Sequence, residues 1–465
     1  MAYGQLVIRG TCDPAFRSVR DAFAANFEQG EVGAACSVAV EGQVVVDIWG
    51  GWADALHQRE WTRDTMVNAY SVGKPIIALM LLQLADRGEV ELDATADRWW
   101  PEFLAGQQGA TVRDVLCHRA GVPAIREPLT NDALWDWHAI CSAIAATGPW
   151  WVPGTRHAYH SNTYGHLVGE LARRIDGRLP GTWLRDEIAR PLDADLVWGL
   201  TPAERARCAD VVWEIDVDRG IEWLSARAET DEQRMIALSY ANPPGYSGIG
   251  VVNSSEWRTT QVPSTNLHAT ASGVARLYTA LAAGGAVDGI TVIGPDLLAE
   301  ATSPQSEGWC PVLEREATFG LGFQPTRPDR PFGPNPGSFG HFGTGGAVGF
   351  ADPQASVGFG YVMNAVRPRW QSPRNRALIN ALYACLSRAR RRERRGLRHA
   401  HPGSSDATKG LGVSRRRRRP EGSGSRNRPG RRHGRHAGRW RRPRTGGGGG
   451  ATARSHRRAC PSRPP

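Results

Sequence analysis

Lysine is almost absent from this chain: of 57 basic residues in 465, only Lys74 and Lys409 are lysines, and the rest are arginine. An arginine cannot release its proton at physiological pH, so a basic side chain that must exchange one has a single candidate before the C-terminal segment, Lys74. Long apolar runs are missing too. No window approaches the roughly 18 uncharged residues of a membrane span. Met1 to Thr11 carries Arg9 and no apolar stretch that would direct export, so no membrane partner is expected. The eight cysteines have no C-x-x-C pairs and no regular spacing, which signals neither a disulfide framework nor a zinc site and makes a reducing cytoplasm the expected location. H-E-x-x-H, P-loop and G-x-G-x-x-G signatures are lacking, and no serine lies in G-x-S-x-G. No metal or other cofactor is therefore expected, and an α/β-hydrolase is disfavoured.

What is present is a globular chain, 41% hydrophobic, with enough apolar residues for a large core. Its net charge of +11 is unevenly placed. Residues 387–465 are rich in Arg, Gly and Pro, including Arg415–Arg419 and Gly446–Gly450, whereas residues 1–386 are net acidic. The first segment reads as the folded domain. The second cannot bury enough surface to offset its ordering entropy and reads as a disordered basic tail. Arginine tails attract phosphates, but the acidic domain and the lack of interleaved aromatic residues argue against a nucleic-acid partner.

The apolar pattern places helices and strands along residues 1–386. Phe16, Val19, Phe23 and Phe27 recur at helical spacing. Val32–Val40 and Val44–Trp49 form a hairpin around Glu41-Gly42-Gln43. Lys74–Arg87 is an apolar helix that stops at Gly88. Further helical patterns cover Thr111–Arg119, Asp132–Ala146, Tyr164–Ile175, Ser272–Ala283 and Pro373–Leu386, and Gly343–Phe350 with Ser356–Met363 makes a second hairpin. Strands at both ends with helices between them predict an α+β domain whose sheet joins distant segments around an inserted helical region.

Three segments carry chemistry. In Tyr70-Ser71-Val72-Gly73-Lys74 a serine and a lysine three apart share one face at a helix start, where the dipole favours developing negative charge. Ser71 fits a nucleophile, and Lys74 fits its base if burial lowers its pKa. S-x-x-K alone is a weak signal that more often marks a solvated pair; the scarcity of lysine raises its weight. In His157-Ala158-Tyr159-His160-Ser161-Asn162, Tyr159 fits a partner base whose phenolate a neighbouring ammonium would stabilise, although a lone tyrosine before a helix is usually structural. In His341-Phe342-Gly343-Thr344, glycine permits close backbone approach, and an N–H near Thr344 fits an oxyanion donor beside that of Ser71. The 17 tryptophans read mainly as core, with Trp151 the best candidate for an acyl-pocket wall.

The order S-x-x-K, Tyr-x-Ser, His-x-Gly before a C-terminal hairpin and helix resembles the β-lactamase-related serine hydrolases, the penicillin-binding-protein and class C β-lactamase superfamily, and most of all their esterase branch. Phrases such as Asp114-Val115-Leu116-Cys117-His118-Arg119-Ala120-Gly121 add to the resemblance, which spans about residues 8–386. It implies a mainly antiparallel sheet flanked by helices with an inserted helical domain, catalysis by Ser71, Lys74 and Tyr159 through an acyl-enzyme, and a small-molecule ester as substrate. The same mechanism serves a β-lactamase, a D-amino-acid or D-Ala peptidase and an acyltransferase. Two departures stand out. The family's Tyr-x-Asn is here Tyr-x-Ser, with Ser161 in the third position and Asn162 one later. The lysine that opens the third motif in β-lactamases is here His341, a weaker carboxylate partner, which implies uncharged esters more than penicillins.

Overall fold

The structure, a computed structural model, describes residues 6–213, 228–367 and 372–400; within the last range the side chains of residue 390 and of 392–400 are not described. Contacts divide the chain into Met1–Pro402 and Gly403–Pro465, and the second unit lies outside the described residues.

A seven-stranded antiparallel sheet is built from both ends of the domain. Its strands are β1 (Ile8–Cys12), β2 (Gly33–Val40), β3 (Gln43–Gly51), β4 (Gln324–Pro325), β5 (Phe339–Phe342), β6 (Val348–Asp352) and β7 (Val357–Met363), in the order β1-β3-β2-β7-β6-β5-β4. The central pairing of β2 with β7 runs from Val40–Val357 to Ala34–Met363, so the N- and C-terminal hairpins close one surface across more than 300 intervening residues. The α+β layout expected from the pattern is therefore present.

The helices are α1 (Arg17–Glu28), α2 (Gly73–Asp86), α3 (Thr163–Asp176), α4 (Ala271–Ala282) and α5 (Pro373–Ala400). Residues alternate across a strand, so β7 reveals which layer lies on which side. A Cβ at Gly360 would stand 2.3 Å from the Ala271 carbonyl, which places α4 hard against that face. The next residue, Tyr361, points the other way and donates its hydroxyl to Glu31, which in turn pairs with Arg374 of α5. Helices α1 and α5 pack together. Helix α2 is buried from Gly73 to Leu84, as its all-round apolar character requires, and packs beside α3.

The structure departs from the sequence pattern in two places. Residues 343–350 do not form one strand: β5 ends at Phe342, a tight turn follows in which Gly345 takes φ 83°, and β6 starts at Val348. The last helix also runs past Leu386 to Ala400, through a stretch rich in arginine, a good helix former. The domain end expected at Leu386 thus falls inside α5, and 401–465 of the expected tail lie outside the described residues. No described helix is long and apolar enough to cross a membrane.

Leu378, Ile379 and Leu382 are the buried stripe of α5. Leu382→Ala should lower unfolding free energy by about 2–5 kcal/mol in urea titration, the usual cost of emptying a well-packed leucine site. Arg388→Ala, which loses only exposed or half-buried contacts to Ser18 and Cys385, should change it by less than about 0.5 kcal/mol.

Candidate active site

Ser71 sits in a short 3-10 turn, Tyr70–Val72, that feeds directly into α2. Tyr70 before it holds φ 51°, a left-handed conformation that costs a bulky residue about 1–3 kcal/mol and persists only where packing over-determines it. Tyr70 is fully buried, and the neighbouring Ala69 N–H is fixed on the Leu267 carbonyl at 2.7 Å. The nucleophile candidate is thus presented by a constrained backbone.

One turn on, Lys74 is 0% exposed. Its Nζ lies 2.7 Å from the Ser161 carbonyl, 3.1 Å from the Ser264 carbonyl and 3.1 Å from Ser71 Oγ. Carbonyls only accept, so two N–H groups of the amine are committed to them. Burial alone drives Lys74 well below its ordinary value. When the amine is neutral, its lone pair is left facing the Ser71 hydroxyl, which is the geometry of a general base.

Tyr159, also 0% exposed, donates its hydroxyl to Ser71 Oγ at 3.0 Å, and Lys74 Nζ stands 4.7 Å from its ring centre. Burial pushes the phenol upward, and the bond to Ser71 only partly offsets this. The phenolate expected from the residue pattern is therefore not the resting form: in so dry a site both partners favour neutrality, with the proton on Tyr159. The Tyr159 N–H is held by Cys310 Sγ at 3.1 Å, and its ring stacks on Phe319 at 6.0 Å. Met235, Val312 and Phe319 form an apolar cluster around it, with the partly buried Trp151 packed on its edge.

The third segment closes the site from β5. A Cβ at Gly343 would lie 2.4 Å from the Ala69 carbonyl, so only glycine lets this strand end pack on the backbone leading to Ser71. Thr344 opens the following 3-10 turn. Ser71 and Thr344 both lie in the first turn of a 3-10 segment, where N–H groups have no intrahelical acceptor. Behind the turn, Arg374 donates to the Gly345 carbonyl at 3.0 Å and Asn375 to the Gly346 carbonyl at 2.9 Å. Arg374 is neutralised by Glu31 at 2.6 Å, both side chains at most 2% exposed. No sequence motif marked Glu31, Arg374 or Asn375.

His341 is buried and stacks on Tyr159 at 6.1 Å. Its Nδ1 lies 2.7 Å from the Phe342 carbonyl, so that nitrogen carries the proton and Nε2 is a bare, buried acceptor. Burial above all depresses its pKa to about 3, so it brings no positive charge. Ser161 contributes its carbonyl to Lys74, not its hydroxyl. Asn162 turns away from the site: its amide donates to Ser239 and Tyr240 carbonyls and Ser247, and its oxygen accepts from Thr265. A cleft of about 570 Å³ lined by Asp47, Arg63, Arg185 and Arg276 contains none of these residues. Among the described residues no group of three His, Cys, Asp or Glu side chains is placed to hold a metal ion.

Comparison with known proteins gives a family and several relatives. The family model described as Beta-lactamase matches residues 17–384. The chain is 33% identical over 360 residues to "Esterase/beta-lactamase LipL" of Mycobacterium tuberculosis, covering 76% of this chain and 82% of that protein. Among solved structures, a family VIII carboxylesterase is 36% identical with a TM-score of 0.74, covering 82% of this chain and 100% of that one. A penicillin-binding protein homologue from Caulobacter crescentus is 37% identical with a TM-score of 0.71 over the same shares.

The lowered pKa of Lys74 has a thermodynamic consequence. Between its folded value and the ordinary 10.5, the unfolded chain holds a proton that the folded chain does not, so this group makes stability rise with pH across that window. The difference in unfolding free energy between wild type and Lys74→Met should therefore grow as pH is raised from about 7 towards about 10 and level off near the unfolded value. A difference that stays flat over that range would mean that Lys74 is charged in the folded protein.

Proposed function

The chain belongs to the beta-lactamase family and is a serine hydrolase, and from that premise we propose that it is a carboxylesterase working through an acyl-enzyme on Ser71. The observation that carries this reading is the placement of Ser71 Oγ between the buried Lys74 amine at 3.1 Å and the Tyr159 hydroxyl at 3.0 Å. Lys74 takes the Ser71 proton as Oγ attacks the ester carbonyl. The oxyanion forms between the N–H groups of Ser71 and Thr344, fixed donors aimed where charge develops. The leaving alkoxide takes its proton from Tyr159, which is replenished from Lys74. Water then adds to the acyl carbonyl, the same pair receives and returns its proton, and the acid leaves with Ser71 restored.

A neutral, buried His341 at the head of the third motif favours esters over substrates held by a carboxylate. So do relatives named as esterases and carboxylesterases. A second reading, hydrolysis of β-lactams by the same steps, draws on one observation: a relative 33% identical to this chain is named an esterase/beta-lactamase. We also propose a reducing, cytoplasmic setting, because Cys12, Cys36, Cys117, Cys141, Cys208, Cys310 and Cys385 are all free thiols.

A fluorophosphonate probe should label Ser71, mapped by mass spectrometry, and Ser71→Ala should abolish turnover of short p-nitrophenyl esters while remaining folded. Ester kcat/KM should exceed that for a chromogenic cephalosporin. Label on another serine, or an active Ser71→Ala variant, contradicts the mechanism; a preference for the cephalosporin contradicts the substrate class.

A further inference from the structure

The phrase Cys117-His118-Arg119-Ala120-Gly121 plays no part in the mechanism above, yet His118 is among the most constrained residues in the domain. It is buried, and it holds φ 66°, an uncommon conformation for any residue but glycine. Its carbonyl accepts the N–H of Ala158 at 3.2 Å, and its Nδ1 accepts the N–H of His160 at 3.1 Å. The residues on either side of Tyr159 therefore both donate their N–H groups to this one residue. Its ring also packs against Tyr159 at 5.1 Å, Tyr164 at 4.5 Å and Phe319 at 4.5 Å.

Neighbouring bonds extend the same seam. His160 donates from Nδ1 to the Ala158 carbonyl at 2.7 Å and accepts the Val122 N–H on Nε2 at 3.1 Å. Gly154 N–H meets the Arg119 carbonyl at 3.1 Å, and Trp150 N–H meets that of Gly121 at 2.8 Å. Three of these six bonds run backbone to backbone and are indifferent to side-chain identity. The bond from His160 N–H to His118 Nδ1 is not, since it requires an unprotonated nitrogen at one spot, as does the bond from Val122 N–H to His160 Nε2. The Nδ1 acceptor forces the proton onto Nε2.

We propose that His118 is a positioning residue for Tyr159, its Nδ1 and its carbonyl together fixing the backbone on both sides of that tyrosine so that the phenol hydroxyl reaches Ser71 Oγ. The inference rests on the reading of Tyr159 as the group that handles the proton. A catalytic group displaced by about 1 Å loses about 10²-fold in rate, and nothing else in the seam supplies an acceptor at the position of Nδ1. Asparagine keeps an acceptor where Nδ1 lies and tolerates a left-handed backbone; leucine has nearly the same size and no acceptor.

The test measures kcat per active site, with sites counted by fluorophosphonate titration, so that a loss of folded protein alone does not register. His118→Leu should lower kcat on a short p-nitrophenyl ester by about 10²-fold with KM within about threefold. His118→Asn should recover to within about tenfold of wild type. In a Tyr159→Phe background, His118→Leu should add little, because the two changes act on one step. A His118→Leu enzyme within about threefold of wild type per site, or an Asn variant no better than Leu, overturns the proposal. If Tyr159→Phe is itself fully active, the site reading falls, and this inference with it. One measurement needs no variant: ¹⁵N-histidine spectra of the wild-type chain should show His118 neutral, with the proton on Nε2, at neutral pH. A resonance with the proton on Nδ1, or a doubly protonated ring, overturns the proposal whether or not the variants fold.

Discussion

The site depends on a lysine ammonium being too costly where Lys74 stands. Wholly buried, with burial the sole influence on its pKa, the amine is pushed towards its neutral form. Two carbonyls, of Ser161 and Ser264, take two of its N–H bonds and fix the direction of what remains. On the proposed reading a general base is thus made from a group that is fully charged in water. An arginine in the same place would stay charged.

Much of the surrounding architecture serves to hold that arrangement dry and in register. Helix α2 buries the lysine because nearly every residue from Gly73 to Leu84 is packed on all sides. Ser161 arrives from the segment before α3, and Ser264 from a loop 190 residues distant in the chain from Lys74. The Thr344–Gly346 turn is gripped from behind by Arg374 and Asn375 at the start of α5, and Glu31 keeps the buried guanidinium paired. Removing one partner of such a pair leaves an uncompensated buried charge, which costs about 3–5 kcal/mol. Both ends of the domain therefore bear on one turn.

The sequence was legible where a local pattern carries the information. The apolar run of α2, the S-x-x-K spacing and the near absence of other lysines pointed to Ser71 and Lys74, and the order of the three motifs pointed to Tyr159 and the Gly343–Thr344 turn. Distant strands paired as expected of an α+β domain. What local patterns do not encode is where backbone carbonyls arrive from afar, so the Ser264 carbonyl, the Cys310 thiol on Tyr159 and the Glu31–Arg374 pair were not foreseen. Burial likewise reversed the expected charge state of Tyr159. Apolar spacing ran through Gly343–Phe350 as one strand, but Gly345 turns the chain there, and α5 continues through an arginine-rich stretch past Leu386.

The central claim is that Lys74 works by releasing and accepting a proton, not by its charge. The most direct measurement is kcat/KM of Lys74→Arg on a short-chain ester, with melting temperature recorded alongside. Arginine preserves a cation of similar reach but cannot act as a base. Loss of general acid–base participation is worth about 10²- to 10⁴-fold, so the account predicts a fall of at least about 10²-fold in a protein that still folds. Near-wild-type kcat/KM in Lys74→Arg would contradict it, leaving the lysine an electrostatic support and another group as the base.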